Sequence, residues 1–426
     1  MRVLVVGAGG REHAIVRALG RSGRASEVLS APGNAGIAAD ARCLDVAADD
    51  VSGIVDAAVA EGAELVVVGP EVPLVAGLVD ALEAAGIAAF GPSAGAARLE
   101  GSKVHAKAAM AEAGVATASH LVLRDRDEAL EHLACASYPA VLKADGLAAG
   151  KGVIIAATEA EAREAVETFF VERRFGHTEV VLEEYLDGEE LSLLALCDGQ
   201  NVLPLAPAQD YKRIFDGDEG PNTGGMGSYS PVPDLAPEQV MDLIESVHRP
   251  VVELLGRRGT PYHGVLYAGL MIGPSGPKVL EFNCRFGDPE TQAVLPRLRS
   301  DLVELLLAAR EPGGLAGTTA VFDDNWAVTV VLASAGYPEG SSKGHLITGL
   351  DEAAAVAGVE VTHAGTAAVR GEIVTAGGRV LNVTGLGINP SEARARAYEA
   401  ARKIHFDGMQ MRTDIAARAV KRAAAA

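Results

Sequence analysis

Basic residues are in short supply in this chain. Its 37 Lys and Arg face 57 Asp and Glu, leaving a formal net charge of −20, and no long Lys/Arg block interrupts the pattern. Sequence-independent nucleic-acid binding, which runs on phosphate neutralisation, is therefore not expected. Small anionic substrates remain open to it, because physiological salt screens charges beyond roughly 8 Å and a few cations inside a cleft outweigh distant surface acids. Cysteine is scarce too. Cys43, Cys135, Cys197 and Cys284 stand far apart with no CxxC, which fits neither a disulfide framework nor a zinc ribbon and makes a reduced cytoplasm the expected compartment. A basic leader ahead of an apolar stretch is missing, since Met1-Arg2 runs straight into VLVVGAGG, so no export signal is expected. Apolar runs such as residues 265–272 fall short of the roughly 20 residues that cross a bilayer, and no membrane partner is expected.

The composition that remains is that of a globular protein, 49% hydrophobic and 22% charged over 426 residues. At about 150 residues per domain, that length suggests two to four domains. Residues 3–6, a glycine turn and a helical pattern over 12–19 make a strand-turn-helix, and 28–30 and 65–68 read as further buried strands. This is the opening of a doubly wound α/β domain over residues 1–100, with ligand-binding loops gathered at the carboxyl ends of its strands. A second domain is expected over 101–312. Its lid subdomain, at about 120–190, contains strands 140–143 and 153–156 joined by DGLAAGKG. The turn-rich residues 311–319 read as a linker. Residues 320–426 read as a small α+β domain with a helix starting after Asn389-Pro390 and a frayed tail, KRAAAA.

Four segments carry chemistry. Gly7-Ala8-Gly9-Gly10, between strand and helix, would set backbone amides and the positive helix end against a phosphate. A dinucleotide fingerprint would need glycine where Glu12 stands, and an acid where Pro32-Gly33-Asn34 ends the second strand. NAD is thus disfavoured, and a phosphorylated sugar stays open; close strand-helix packing is the alternative reading of these glycines. Lys143 leads into a bare, glycine-rich loop ending Gly150-Lys151-Gly152, two ammonium groups suited to a polyphosphate. The spacing is not that of a Walker A loop, and a hairpin closing over ATP fits better. After the strand-like 180–186, a carboxylate such as Glu190 could accept both ribose hydroxyl protons. In Glu281-Phe282-Asn283, residues i and i+2 share a strand face, so two hard oxygens point together, as magnesium requires. Arg285 then stands beside the pair, where charge would develop on a transferring phosphoryl group; a surface salt-bridge cluster of Arg, Asp and Glu is the alternative reading of this segment.

Lys103, Lys143 with its loop, LEEYLDGEE and EFN together resemble the ATP-grasp superfamily. VLVVGAGGREHA, APGNAG, FGPSAGAARLEGSK, PNTGGMGSYSP and EFNCRFGDPET resemble, more closely, the phosphoribosylamine-glycine ligase family. The resemblance implies a multidomain α/β and α+β fold: a doubly wound amino-terminal domain, an ATP-grasp body with its lid, and a small α+β carboxyl-terminal domain. It implies ligation of glycine to 5-phosphoribosylamine in purine biosynthesis with ATP and Mg2+ or Mn2+, by way of glycyl phosphate. Carried over residue by residue, it assigns the phosphates to Lys103, Lys143 and Lys151 with Gly150 and Gly152, the adenine to Glu183 and Leu186, and the ribose to Glu190. Glu281 and Asn283 take the metal, and Arg285 is the catalytic side chain. The sugar phosphate falls to Gly9, Gly10 and Arg11, with Asn34 and Glu71 near the ribosylamine. Asp210, also given a catalytic part, lies with Asn222, Thr223 and Gly225 between the substrates. Two departures stand out: Tyr211 occupies a position where the family commonly has His, and LYAGLMI carries no acid for a second ion.

Three rivals stand against this reading. A nicotinamide oxidoreductase lacks its acidic residue, a non-catalytic nucleotide sensor would have lost Arg285 or the metal pair, and another ATP-grasp carboxylate-amine ligase would not join RFGDPE, PNTGGMG and GAGGREH in one chain. The oligomeric expectation is a monomer or weak homodimer.

Overall fold

The computed structural model describes residues 1–148, 152–233 and 235–425. At the amino terminus, five parallel strands lie in the spatial order Arg42–Cys43, Glu27–Pro32, Arg2–Gly7, Leu65–Val68, Ala89–Phe90. Val3 to Val6 are fully buried, as expected of a strand covered on both faces. Sequence order reverses direction between Arg2–Gly7 and Leu65–Val68, so the loops after these two strands, holding Gly9 and Glu71, open on one crevice.

The body sheet is antiparallel, in the order Val202–Pro204, Glu189–Asp198, His263–Gly273, Gly276–Asn283. Its side chains alternate between two cores. Leu193, Ala195, Leu266, Ala268 and Phe282 pack toward the helices Lys103–Ala113 and Arg249–Arg257, while Leu194, Leu196, Val265 and Tyr267 share a core with the amino-terminal domain. Register places Ser192 opposite Gly269, Gly269 opposite Glu281, and Tyr267 opposite Asn283. These residues therefore share the face turned toward the amino-terminal domain.

The lid is a four-stranded antiparallel sheet, His120–Leu123, Val180–Glu184, Ala140–Ala144, Val153–Ala156, with the helices Arg126–Leu133 and Glu159–Val166 packed on its core. The last sheet runs Gln209–Asp210, Gly227–Ser230, Trp326–Ala333, Arg379–Gly387, Val359–His363. Its first two strands come from well before residue 320, so hydrogen bonding crosses the expected linker. Helix Pro390–Ala401 starts as read, with Asn389 accepting from the Glu392 amide. The tail is helical further than expected, as far as Ala423. Helix Ala417–Ala423 buries Ala419, and Arg422 pairs with Glu189, tertiary contacts that a seven-residue helix needs in order to persist. No described helix is long and apolar enough to cross a membrane.

Candidate functional site

Lid and body meet through lysines. Ser102 caps helix Lys103–Ala113, and the Asp145 carboxylate accepts from Ser102 Oγ at 3.1 Å and from the Val104 amide at 3.0 Å. This clamp brings Lys103 Nζ to the Gly146 carbonyl at 2.9 Å. Lys143 Nζ donates to the Leu280 carbonyl at 3.1 Å and pairs with Glu183 Oε2 at 3.0 Å, while Glu183 Oε1 pairs with Lys107 at 3.0 Å. Burial lowers the pKa of both Lys103 and Lys107. Lys107 escaped the sequence reading, although it stands one helical turn after Lys103. Gly152 opens the strand Val153–Ala156, where a Cβ would press on Ala148 at 2.7 Å. Gly150 and Lys151 lie outside the described residues. Leu186 is half-buried just past the strand Val180–Glu184.

Glu281 and Asn283 do share a face, with Asn283 Nδ2 3.5 Å from Glu281 Oε1 and Phe282 buried beneath. Lys212, a second cation the sequence reading passed over, bridges Glu190 at 3.3 Å and Glu281 at 4.0 Å. Burial alone would raise the Glu281 pKa. Lys212, Lys143, Lys103 and Arg285 instead hold it down at about 2, so the carboxylate stays charged at any working pH. Among the described residues no cluster of three or more acidic, His or Cys side chains forms a complete metal cage. A carboxylate and an amide oxygen suit magnesium, which keeps waters and takes its other ligands from phosphates.

Arg285 is wedged among acids. Its Nη2 lies 3.1 Å from Glu100 Oε1 and donates to Asn283 Oδ1 at 3.0 Å, and its Nε lies 3.6 Å from Glu71 Oε2. Glu71 thus faces Arg285, and Glu100, from the LEGSK motif, is an unforeseen partner. Burial raises the Glu100 pKa against the pull of Arg285. Asp210 is buried, and its pKa is pushed up to about 8 by burial, against Lys212 and with help from Glu290, Glu190 and Glu281. Thr223 Oγ1 donates to the Lys212 carbonyl at 2.8 Å and accepts from the Gly225 amide at 3.0 Å. Gly225, at φ +108°, leaves no room for a Cβ against Pro289. Asn222 lies opposite Arg213 in a short antiparallel pair beside them. Tyr211 faces away from this chemistry: it is buried in the carboxyl-terminal core, its hydroxyl accepting from the Ala416 amide at 2.9 Å.

The amino-terminal loop departs from expectation. Its helix end is not an open anion site, because the Glu12 carboxylate accepts from the Gly9 amide at 2.6 Å and pairs with Arg11 Nε at 2.5 Å. Side chains at Gly7 or Gly9 would collide with Glu12, so these glycines make room for a buried acid. Gly10 is packed against Asn382 and Gln292, and Arg11 Nη1 donates to the Phe286 carbonyl at 3.3 Å. Asn34 is a latch. Its Nδ2 donates to the carbonyls of Ala8 and, across the domains, His363, at 2.8 and 2.9 Å, and its Oδ1 accepts from the Gly36 and Ile37 amides, both at 2.9 Å. With both amide hydrogens and its oxygen committed, this side chain has little left for a substrate. Gly9 and Asn34 nonetheless line a cavity of about 360 Å³ together with Asp288, Gly365, Thr366 and Arg379. Arg379, 3.2 Å from Asp288 Oδ1, is a cation on that wall that the motifs did not flag.

Comparison with known proteins identifies the family. The phosphoribosylglycinamide synthetase N domain matches residues 1–100, the ATP-grasp (A) domain of the same family matches 101–291, and the C domain matches 327–418. The phosphoribosylamine–glycine ligase of Streptomyces coelicolor is 52% identical over 426 aligned residues, covering 98% of this chain and 99% of that one. The Xylella fastidiosa (strain Temecula1) ligase is 50% identical over 428, covering 99% of each. Among solved structures, the Thermotoga maritima phosphoribosylamine–glycine ligase superposes with a TM-score of 0.84 at 37% identity, covering 97% of this chain and 100% of that one. The biotin carboxylase domain of Hydrogenobacter thermophilus 2-oxoglutarate carboxylase, in complex with MgADP, shares the fold at 18% identity and a TM-score of 0.69, covering 96% of this chain and 91% of that one. Three consecutive domain matches and half-identical relatives over nearly the whole length make the chain a member of the phosphoribosylamine–glycine ligase family, also described as phosphoribosylglycinamide synthetase.

Proposed function

We propose that the cleft between lid, body and amino-terminal domain joins glycine to 5-phosphoribosylamine at the expense of ATP, with the labour divided among the residues just described. An amine cannot displace oxide from a carboxylate, so the glycine carboxylate first attacks the γ-phosphate in line, breaking its bond to the bridging oxygen and releasing ADP. Glycyl phosphate results, and the sugar amine then takes the acyl group as phosphate leaves. The protein contributes positioning and charge neutralisation. Lys103 and Lys143 receive the phosphates, with the segment around Lys151 closing over them. Glu190 accepts from the ribose hydroxyls, and Glu183, Leu186 and the strand end around them flank the adenine. Glu281 and Asn283 hold Mg2+ or Mn2+, which when bound neutralises phosphate charge. Arg285 donates to the oxygens that gain charge during transfer. The cavity lined by Gly9 accepts the sugar phosphate, with Arg379 as the cation on its wall, and Asp210 lies between the two substrates. The reduced cytoplasm suits the four free cysteines.

The observation that carries this reading is the gathering of cations around the strand that bears the acid pair: Lys212 4.0 Å from Glu281, Arg285 on Asn283 at 3.0 Å and Lys143 on the Leu280 carbonyl at 3.1 Å. Phosphate release from ATP, assayed with freshly made phosphoribosylamine and each amino acid in turn, is expected with glycine alone. Glu281→Gln is expected to raise the magnesium concentration needed for half-maximal rate. Equal release with every amino acid, or an unchanged metal requirement, would contradict the assignment.

A further inference from the structure

The cavity given above to the sugar phosphate takes its walls from two domains, with Gly9 and Asn34 on one side and Gly365, Thr366 and Arg379 on the other. His13 joins the two walls, and none of the roles above uses it. It lies on the helix Gly10–Gly20, one turn after Gly9, and is fully buried. Its Nδ1 accepts from the His363 amide at 2.8 Å, and its Nε2 lies 2.9 Å from Asp40 Oδ2, which also accepts from Arg17 Nε at 2.8 Å. A backbone N–H only donates, so Nδ1 carries no proton and the one on Nε2 goes to Asp40. Burial lowers the His13 pKa against the pull of Asp40 and with help from Arg17, so the ring holds this neutral form at pH 7.

His363 ends the strand Val359–His363, and the far wall of the cavity begins at the next residue. The amino-terminal domain grips this residue twice, its N–H by His13 and its C=O by Asn34 Nδ2 at 2.9 Å. Gly36 permits so close an approach, because a Cβ there would stand 2.3 Å from the His363 ring. From His363 the contact continues along the backbone. The Ala364 amide donates to the Val380 carbonyl and the Gly365 amide to the Arg379 carbonyl, each at 2.9 Å. A series of contacts through Asp40, His13, His363 and Gly365 thus ends on the residue that supplies the cavity's cation. An apolar side chain of similar size would fill the space of His13, but it would strand a buried N–H and leave the wall free to shift. We infer that His13, oriented by Asp40, is a positioning residue for phosphoribosylamine, fixing the carboxyl-terminal wall and Arg379 at a set separation from Gly9. This rests on the ligase reading and on its placing of the sugar phosphate in this cavity. A displacement of about 1 Å in such a site costs up to about a hundredfold.

The test measures the KM for freshly made phosphoribosylamine, for ATP and for glycine separately by phosphate release. His13→Leu is expected to raise the phosphoribosylamine KM about tenfold or more and to leave the other two within about threefold. His13→Asn, which keeps an acceptor near the place of Nδ1, is expected to bring the phosphoribosylamine KM back to within about threefold of wild type. Asp40→Ala, at a partly exposed position, is expected to raise the same KM about fivefold, and it carries the decision if His13→Leu is insoluble. In wild-type enzyme labelled with 15N-histidine, the His13 signal, assigned by its loss in His13→Asn, is expected to show Nδ1 unprotonated at pH 7. An unchanged phosphoribosylamine KM in His13→Leu or, in its place, Asp40→Ala overturns the positioning role and leaves the ligase reading standing. So does an equal rise in all three KM values, a His13→Asn no better than His13→Leu, or a protonated Nδ1. Wild-type enzyme whose phosphate release does not depend on phosphoribosylamine overturns the ligase reading itself.

Discussion

Replacing Arg285 by Ala separates two jobs that one guanidinium performs. In the resting protein it compensates Glu100, at 3.1 Å, and Glu71, at 3.6 Å. Removing one partner of a buried pair costs about 3–5 kcal/mol when the other charge is stranded. Glu100 already has a raised pKa, so it can take up a proton and recover part of that. A net loss of about 3 kcal/mol is expected, visible as an unfolding midpoint several degrees lower. In the proposed mechanism the same group faces developing charge during phosphoryl transfer, and losing one such donor would cost about a hundredfold in turnover, or roughly 2.7 kcal/mol. The double variant Arg285→Ala with Glu100→Gln distinguishes the two. Neutralising Glu100 removes one of the two stranded charges and leaves Glu71 in the field of Arg11, so stability should recover in part, while turnover in the phosphate-release assay should stay low. Turnover near normal in the double variant would remove Arg285 from the chemistry. A midpoint for Arg285→Ala equal to wild type would refute the charge-compensation argument.

Asn34→Ala removes four hydrogen bonds that tie the amino-terminal loop to itself and to His363. At about 1 kcal/mol net per bond, it should destabilise by roughly 2–4 kcal/mol in thermal unfolding and leave the ATP and glycine KM within about threefold; unchanged stability with a selectively raised phosphoribosylamine KM would make Asn34 a ligand instead. Acid should also weaken the fold through its buried imidazoles. Burial holds His248 and His363 at about 4 against an ordinary 6.5, so between those values the unfolded chain binds protons the folded one refuses, and stability falls as pH drops through that window. His248→Gln should flatten the decline between pH 6.5 and 4 in a thermal-shift series, and an unaltered slope would count against this account.

Local patterns carried much of the architecture. Period-two alternation announced the face shared by Glu281 and Asn283, the Asn389 cap announced its helix, and the hairpin around DGLAAGKG is bounded as its strands suggested. Partnerships between distant segments were harder to read. Nothing near Lys212 or Lys107 says that either will meet Glu281 or Glu183, because those pairs are set by sheet register and by helix docking. Glu12 misled in an instructive way. A glycine-rich turn before a helix reads as an anion site, yet the anion it holds is the chain's own carboxylate, a choice that depends on Gly7, Gly9 and the helix start packing together. Tyr211 was set apart by its departure from the family pattern, and the structure buries it in the carboxyl-terminal core with its hydroxyl on the Ala416 amide.

The last sheet interleaves Gln209–Asp210 and Gly227–Ser230 with strands that begin more than ninety residues later. A genetic crossover in the turn at residues 311–319 would therefore divorce neighbouring strands and free the segment that carries Asp210 and Lys212. Exchange of modules between relatives should succeed only when both stretches travel together. The carboxyl-terminal third is in this sense inherited with the candidate site, and it is poorly suited to being traded as a detachable accessory.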